Sequence, residues 1–253
     1  MKRHLSIALA GSAALLSGGC VQTRQYADVQ FAPPTGDYKL LVMRPDVSVG
    51  SVTTGGLTEA RADWTEAARS KLLTALRAQQ AARGGNLKIL DRRDSLPGVS
   101  AETIADLERL HGAVGNSIAL HKYLGEDLPT KRRKGLDWTL GAQAVALGQR
   151  TGMDYALFLH AEDSFASTGR VALQVLGIAG CLVGFCAPNM GGGSQFAYAS
   201  LVDLHTGEVV WFNVLQSRIG DIRTDAGAAE MVERLLGRMK PGREVRRALK
   251  AKP

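Results

Sequence analysis

Few residues in this chain are of a type and spacing that does chemistry. His160-Ala161-Glu162-Asp163 puts an imidazole beside two carboxylates. Such a trio can hold a cation, or serve as a base with its orienting acid. His111 and His121 are ten residues apart, too far to share one helical face as an i, i+4 metal pair. His205 falls in a turn sequence and His4 in the basic N-terminal stretch. Glu59, Arg61, Asp63 and Glu66 crowd around Trp64, and acids in a first helical turn suit the helix dipole. Gly191-Gly192-Gly193-Ser194 lacks the lysine and following helix of a phosphate cradle. Neither a Gly-x-Ser-x-Gly elbow nor a His-Glu-x-x-His motif is present. The expectation is therefore a protein without catalytic, metal or cofactor residues, with a hydrolase built on His160, Glu162 and Asp163 as the minor alternative.

The cysteines say more. Lys2, Arg3 and His4 precede an apolar stretch from Leu5 to Leu16, then Ser17-Gly18-Gly19 and Cys20. This is the order of an export signal, and its apolar part is too short for a permanent span. A cysteine directly after small residues resembles a lipoprotein signal, in which Cys20 is lipidated and becomes the first residue. The usual leucine three before the cysteine is here Ser17, with Leu16 one place further away. An ordinary cleaved signal is the alternative. Val21, not aspartate, follows the cysteine, the sorting choice for the outer membrane. Cys181 and Cys186 then form an even pair, read as a small-loop disulfide in an oxidising compartment or as two buried thiols.

The elements that must position these residues follow from hydrophobic patterning. The 253 residues are 45% hydrophobic and 22% charged, enough for one domain with a real core. Residues 1–19 read as the signal, 20–37 as a polar tether containing Pro33-Pro34, 38–240 as a single domain and 241–253 as a basic tail. Within the domain, Tyr38–Met43 is a short buried strand, and Asp46–Gly56 a loop or frayed extension. A helix runs from Thr58 to Gly84 with apolar spacings of three and four. Asn86–Asp91 is a strand. Ser100 caps a helix towards Leu120, and Asp137 caps another ending at Gly152. Strands are expected at Asp154–Ala161, Arg170–Leu176, Ser194–Leu204 and Val209–Val214. A last helix starts at Thr224 or Asp225. The predicted fold class is α+β: a mixed sheet with helices packed against it, in the order β-α-β-α-α-β-β-β-β-α.

The phrase Asp203-Leu204-His205-Thr206-Gly207-Glu208-Val209-Val210-Trp211, preceded by Tyr155-Ala156-Leu157-Phe158-Leu159, carries a family resemblance. The chain resembles small, uncharacterised bacterial envelope lipoproteins over about Tyr38 to Met239. Their sheet is similar to that of the N-terminal domain of the Tol-system propeller protein and of the curli-secretion lipoprotein's periplasmic domain. The resemblance implies that Asp203, Thr206 and Gly207 build a turn and that Trp211 packs the sheet. Because the curli relative lines a pore with hairpins, it also raises a membrane-touching hairpin at Val171 to Phe196. Sixteen uncharged residues from Val171 to Cys186 fall short of the roughly 20 needed for a helical span. Nor do they alternate like a barrel strand, so a buried strand followed by an apolar glycine-rich loop is expected instead. Leu182, Val183 and Phe185 of that loop are the candidate contact residues.

The net charge of +7 falls by two when Lys2 and Arg3 leave with the signal. The excess sits in Lys131–Lys134 and in the stretch from Arg243 to Lys252. In an exported protein that suits anionic headgroups or a solvated tail rather than nucleic acid. The functional expectation is an outer-membrane, lipid-anchored periplasmic protein acting as a non-enzymatic interaction or assembly module of the envelope. It would be held to the membrane by its N-terminal lipid, with an envelope protein as partner and a homo-oligomer possible. An oligomeric secretion or pore subunit using residues 171–196 is the alternative.

Overall fold

Strands buried on both faces read as continuous apolar runs, because neighbours along a strand point to opposite sides. The computed structural model describes residues 22–27, 38–83, 86–93, 96–123, 125, 128, 136–181, 193–237 and 239. It contains one such sheet. The strands are β1 (Gln22–Ala27), β2 (Lys39–Val42), β3 (Asp46–Val52), β4 (Thr58–Ala60), β5 (Asn86–Ile89), β6 (Tyr155–Ala166), β7 (Gln195–Asp203) and β8 (Val209–Ser217). The helices are α1 (Ala62–Arg83), α2 (Ala101–Ile118), α3 (Gly141–Thr151), α4 (Thr168–Cys181) and α5 (Asp225–Leu236), with a π-helical turn, Ala119–Tyr123, closing α2.

The sheet runs β1-β8-β7-β6-β2-β5, with β3 and β4 off this path. β6 organises it. Residues 155–157 pair in parallel with β2, and residues 160–166 pair in parallel with β3. Pro45, which has no N–H to give a ladder, separates the two partners. β6, β7, β8 and β1 are antiparallel in succession.

Two apolar layers lie on the two faces. Leu41, Phe158, Tyr198, Val202 and Phe212 point towards Ile104 and Leu107 of α2 and Ala144 and Leu147 of α3. Their sequence neighbours Leu40, Leu157, Leu159, Ala199 and Trp211 point towards Leu72 and Leu76 of α1 and Met231 and Leu235 of α5. The result is a helix–sheet–helix sandwich of α+β class with a mixed sheet, as the patterning predicts.

Several expected boundaries are corrected. Arg170–Leu176 belongs to α4 and is not a strand. A short apolar run does not distinguish a strand from a helix. Alanine, leucine and glutamine favour the helix, and the Arg170 N–H donates to Ser167 Oγ at 3.3 Å as a cap. β7 pairs directly with β6, so the buried strand expected here has no place beside it. Asp46–Gly56 is mostly strand: β3 turns at Thr53–Leu57 into β4, and the following helix starts at Ala62, not Thr58. Asp137 is not a cap. Helix α3 starts at Gly141, whose N–H donates to Thr139 Oγ1 at 2.8 Å. The stretch read as a tether contains β1, paired with β8 from Gln22↔Gln216 to Ala27↔Trp211. Ser100 and Thr224 do cap α2 and α5, accepting from the Thr103 and Gly227 N–H groups. Gly152 closes α3 in the left-handed conformation that glycine tolerates.

Candidate functional site

Alternation along β6 decides which groups meet. His160 and Glu162 are two apart and share the face that carries α2, whereas Asp163 points to the opposite side. The predicted trio is therefore broken. Asp163 Oδ2 accepts from Gln195 Nε2 at 2.8 Å and from the Ile222 N–H at 3.3 Å. Its burial raises the carboxyl pKa to about 6.

The second carboxylate at His160 comes from Asp46, its direct register partner on β3. His160 Nδ1 lies 2.8 Å from Asp46 Oδ2, and Nε2 lies 3.2 Å from Glu162 Oε1. Burial alone would lower the imidazole pKa. Hydrogen bonding and charge from Asp46, then Glu162, outweigh it and raise the pKa above its ordinary value. Reciprocally, the hydrogen bond from His160 lowers the Asp46 pKa. Helix α1 fixes the start of β3: Arg69 Nε donates to the Pro45 carbonyl at 3.2 Å, and the Val49 N–H donates to Thr65 Oγ1 at 3.0 Å.

The His160 ring stacks on Tyr198, centroids 4.8 Å apart. Tyr198 stacks in turn on Phe212 at 5.3 Å and donates its hydroxyl to the Gly112 carbonyl at 3.3 Å. His111, from α2, lies against the same ring at 5.8 Å and stacks on Phe158 at 4.2 Å. Its Nε2 meets Ser200 Oγ at 2.6 Å. Enclosure lowers the His111 pKa to about 3, helped by repulsion from His160. Two histidines thus flank one tyrosine, their pKa values pushed in opposite directions.

Both ring nitrogens of His160 are already engaged by carboxylates, which favours its protonated form. The His111–Ser200 pair has the elements of an activated nucleophile, but both residues are sealed in the core, with Ser200 1% exposed. Beside Asp46 opens a cleft of about 270 Å³ lined by Arg44, Arg69, Arg93, Arg109 and Glu108. Its guanidinium groups are tied into ion pairs: Arg44 and Arg69 with Glu66, Arg93 with Glu108, Arg109 with Asp106. Among the described residues, no group of three or more histidine, cysteine or acidic side chains could hold a metal ion.

The charged cluster around Trp64 is a stack. The Arg61 and Arg223 guanidinium carbons lie 4.3 and 4.5 Å from the Trp64 ring centre, and Arg223 also covers Phe165 at 3.5 Å. Asp63 engages Arg61 and Asp221 engages Arg223. The hairpin phrase behaves as its residues imply. Asp203 Oδ1 accepts the His205 N–H at 2.7 Å, Gly207 takes φ +78°, and Trp211 is buried on the α1/α5 face. Cys20, Leu182, Val183, Phe185, Cys186, Lys131–Lys134 and the basic tail lie outside the described residues, as does the Cys181 side chain.

Helix α4 leaves Val171, Leu173, Val175 and Leu176 exposed, the last two at 59% and 66%. The sequence reading puts these residues in a buried strand and the contact residues in the loop after it, at Leu182, Val183 and Phe185. Among the described residues no helix is long and apolar enough to cross a membrane.

No protein family matches the chain, and no curated protein does. Two solved structures of PelC dodecamers from Paraburkholderia phytofirmans are similar at low level. One shares 13% identity with a TM-score of 0.37, covering 85% of this chain and 97% of that one. The other, a single-substitution variant, shares 14% identity with a TM-score of 0.35, covering 87% of this chain and 99% of that one.

Proposed function

We propose that this protein is an outer-membrane lipoprotein facing the periplasm, anchored through Cys20, and that it works as a non-enzymatic contact or assembly module of the envelope. The observation that carries the reading is a contrast in how side chains are used. The two buried imidazoles already have their partners, His111 in Ser200 and His160 in Asp46 and Glu162, while the apolar side chains of α4 face outwards. An apolar stretch left uncovered on a filled domain marks a surface made for contact. The signal-like order of residues 1–20 and the hairpin's resemblance to envelope lipoproteins support the compartment. Cells fed radiolabelled palmitate should label the wild-type protein and not Cys20→Ala. Label surviving in that variant would end the anchoring part.

A second reading, an oligomeric secretion or pore subunit assembled through residues 171–196, draws on the same exposed helix. Light scattering on the detergent-solubilised protein separates the two. A stable ring-sized particle that falls apart on Leu176→Glu would favour the oligomer, and a monomer the module.

A further inference from the structure

The exposed large apolar side chains among the described residues are Leu57, Val171, Leu173, Val175, Leu176 and Ile219. They come from three separate connections, yet the sheet register puts all of them at one end. β3 ends beside the end of β6, Val52 opposite Ala166, and the turn after β3 carries Leu57. Helix α4 starts two residues after β6 ends. β7 starts opposite Asp163, and β8 ends opposite the start of β7, Gln195↔Ser217. Ile219 comes two residues later. The connections also touch: the Ser167 N–H donates to the Val52 carbonyl at 2.9 Å, and Arg170 reaches the Thr53 carbonyl at 3.2 Å.

The first strand starts at this same end. Gln22 pairs with Gln216, and Cys20 is two residues before Gln22 in the chain. Two residues of backbone reach at most about 7 Å, so a lipid on Cys20 would enter its bilayer beside these side chains. On α4 the exposed positions from Val171 to Leu176 sweep roughly 200° of the helix circumference, too much for a narrow groove on one partner helix and suited to a surrounding apolar medium. Between Asp163 and Asp203 the only charged residue is Arg170, so no carboxylate there opposes approach to a lipid surface. The 14 described residues of α4 are about 21 Å long, and among the described residues no helix is long and apolar enough to cross a membrane.

We infer that this end of the sheet is a second membrane attachment: α4, flanked by Leu57 and Ile219, inserts into the leaflet that receives the Cys20 lipid. The inference rests on the anchoring reading for its orientation but not for its affinity. Lipid chains hold stably when a second attachment joins them, and this surface supplies it, fixing which way the opposite end of the domain points.

The test uses the mature chain with Cys20→Ala, floated with phosphatidylethanolamine/phosphatidylglycerol vesicles. The unlipidated protein should float. Val175→Glu with Leu176→Glu should lower its partition by roughly a hundredfold, because each lost Val or Leu contact is worth about one decade. Leu57→Glu is a milder second variant, and unchanged thermal melts show that all of them fold. Floating without lipid while wild-type cells take up no palmitate would retain the inference and remove the anchor. Palmitate uptake with no flotation of the unlipidated chain would retain the anchor and overturn the inference. A soluble oligomer that ignores vesicles and dissociates on Leu176→Glu would assign the surface to a second copy and overturn it as well.

Discussion

His111 and His160 sit on the same face of the sheet, against the same tyrosine, and are driven in opposite directions. His111 meets a serine hydroxyl and aromatic rings and is kept neutral. His160 meets two carboxylates, which favour its charged form and raise its pKa. Both are largely buried, so burial is not the difference. What separates them is which element faces each ring. For His111 it is the aromatic layer beneath α2. For His160 it is β3, whose first residue is an aspartate. An imidazole's identity says little about its chemistry until its neighbours are known.

The largest effect should come from removing what the two rings share. Tyr198→Ala deletes a fully buried ring from the centre of the α2 face and should cost about 3–5 kcal/mol in urea or thermal unfolding. It should also loosen both histidines, visible as shifted imidazole NMR titrations. If both titrations stay put, the ring is filler and not a shared support.

His111→Phe comes next, at about 1–3 kcal/mol near neutral pH, because Ser200 loses its buried partner. The pH dependence is the sharper readout. With a folded pKa near 3 against 6.5 unfolded, the unfolded chain takes up the proton first as pH falls. Wild-type stability should therefore decline from about pH 6.5 downwards. The phenylalanine variant should show a shallower acid limb, and an unchanged slope would contradict the neutral assignment.

His160→Gln should cost about 1 kcal/mol with the opposite pH signature. The folded pKa is raised, so the wild-type contribution is complete below the unfolded value of about 6.5 and lost as pH rises through the folded value. Melting curves at pH 5 and pH 9 should show the variant's deficit at the lower pH alone.

The smallest change is expected on the reverse face of the same strand. Asp163, with its pKa near 6, keeps its proton in the folded state where the unfolded chain has lost it. Its contribution therefore weakens as pH rises from about 4 through 6. Asp163→Asn should stay within about 0.5 kcal/mol of wild type at pH 5 and compare more favourably at pH 8. Equal differences at the two pH values would show that burial does not set this titration.

The fold class, the inner strands β2, β5, β6, β7 and β8 and helices α1, α2, α3 and α5 follow from apolar periodicity, and Ser100, Thr224, Gly152 and the His205–Glu208 turn are readable because caps and turns are local chemistry, whereas β1, β3 and β4 are not. The site is less so. Strand alternation already separates Glu162 from Asp163, a distinction available from the sequence. Asp46 is not available there, since its place beside His160 depends on a parallel register between residues 114 apart. Helix α4 was misread for another reason: its apolar side chains are not buried by the domain, so burial could not indicate its period.

The pairing of β1 with β8 has a consequence for the order of events in the life of the chain. Strand β1 precedes its partner by about 190 residues in the chain. Contacts so distant in sequence are costly to close and form late. Until they do, β8 has a bare edge ready to pair with another chain. β1 is therefore the latch of the sheet, fastened only once β8 is in place.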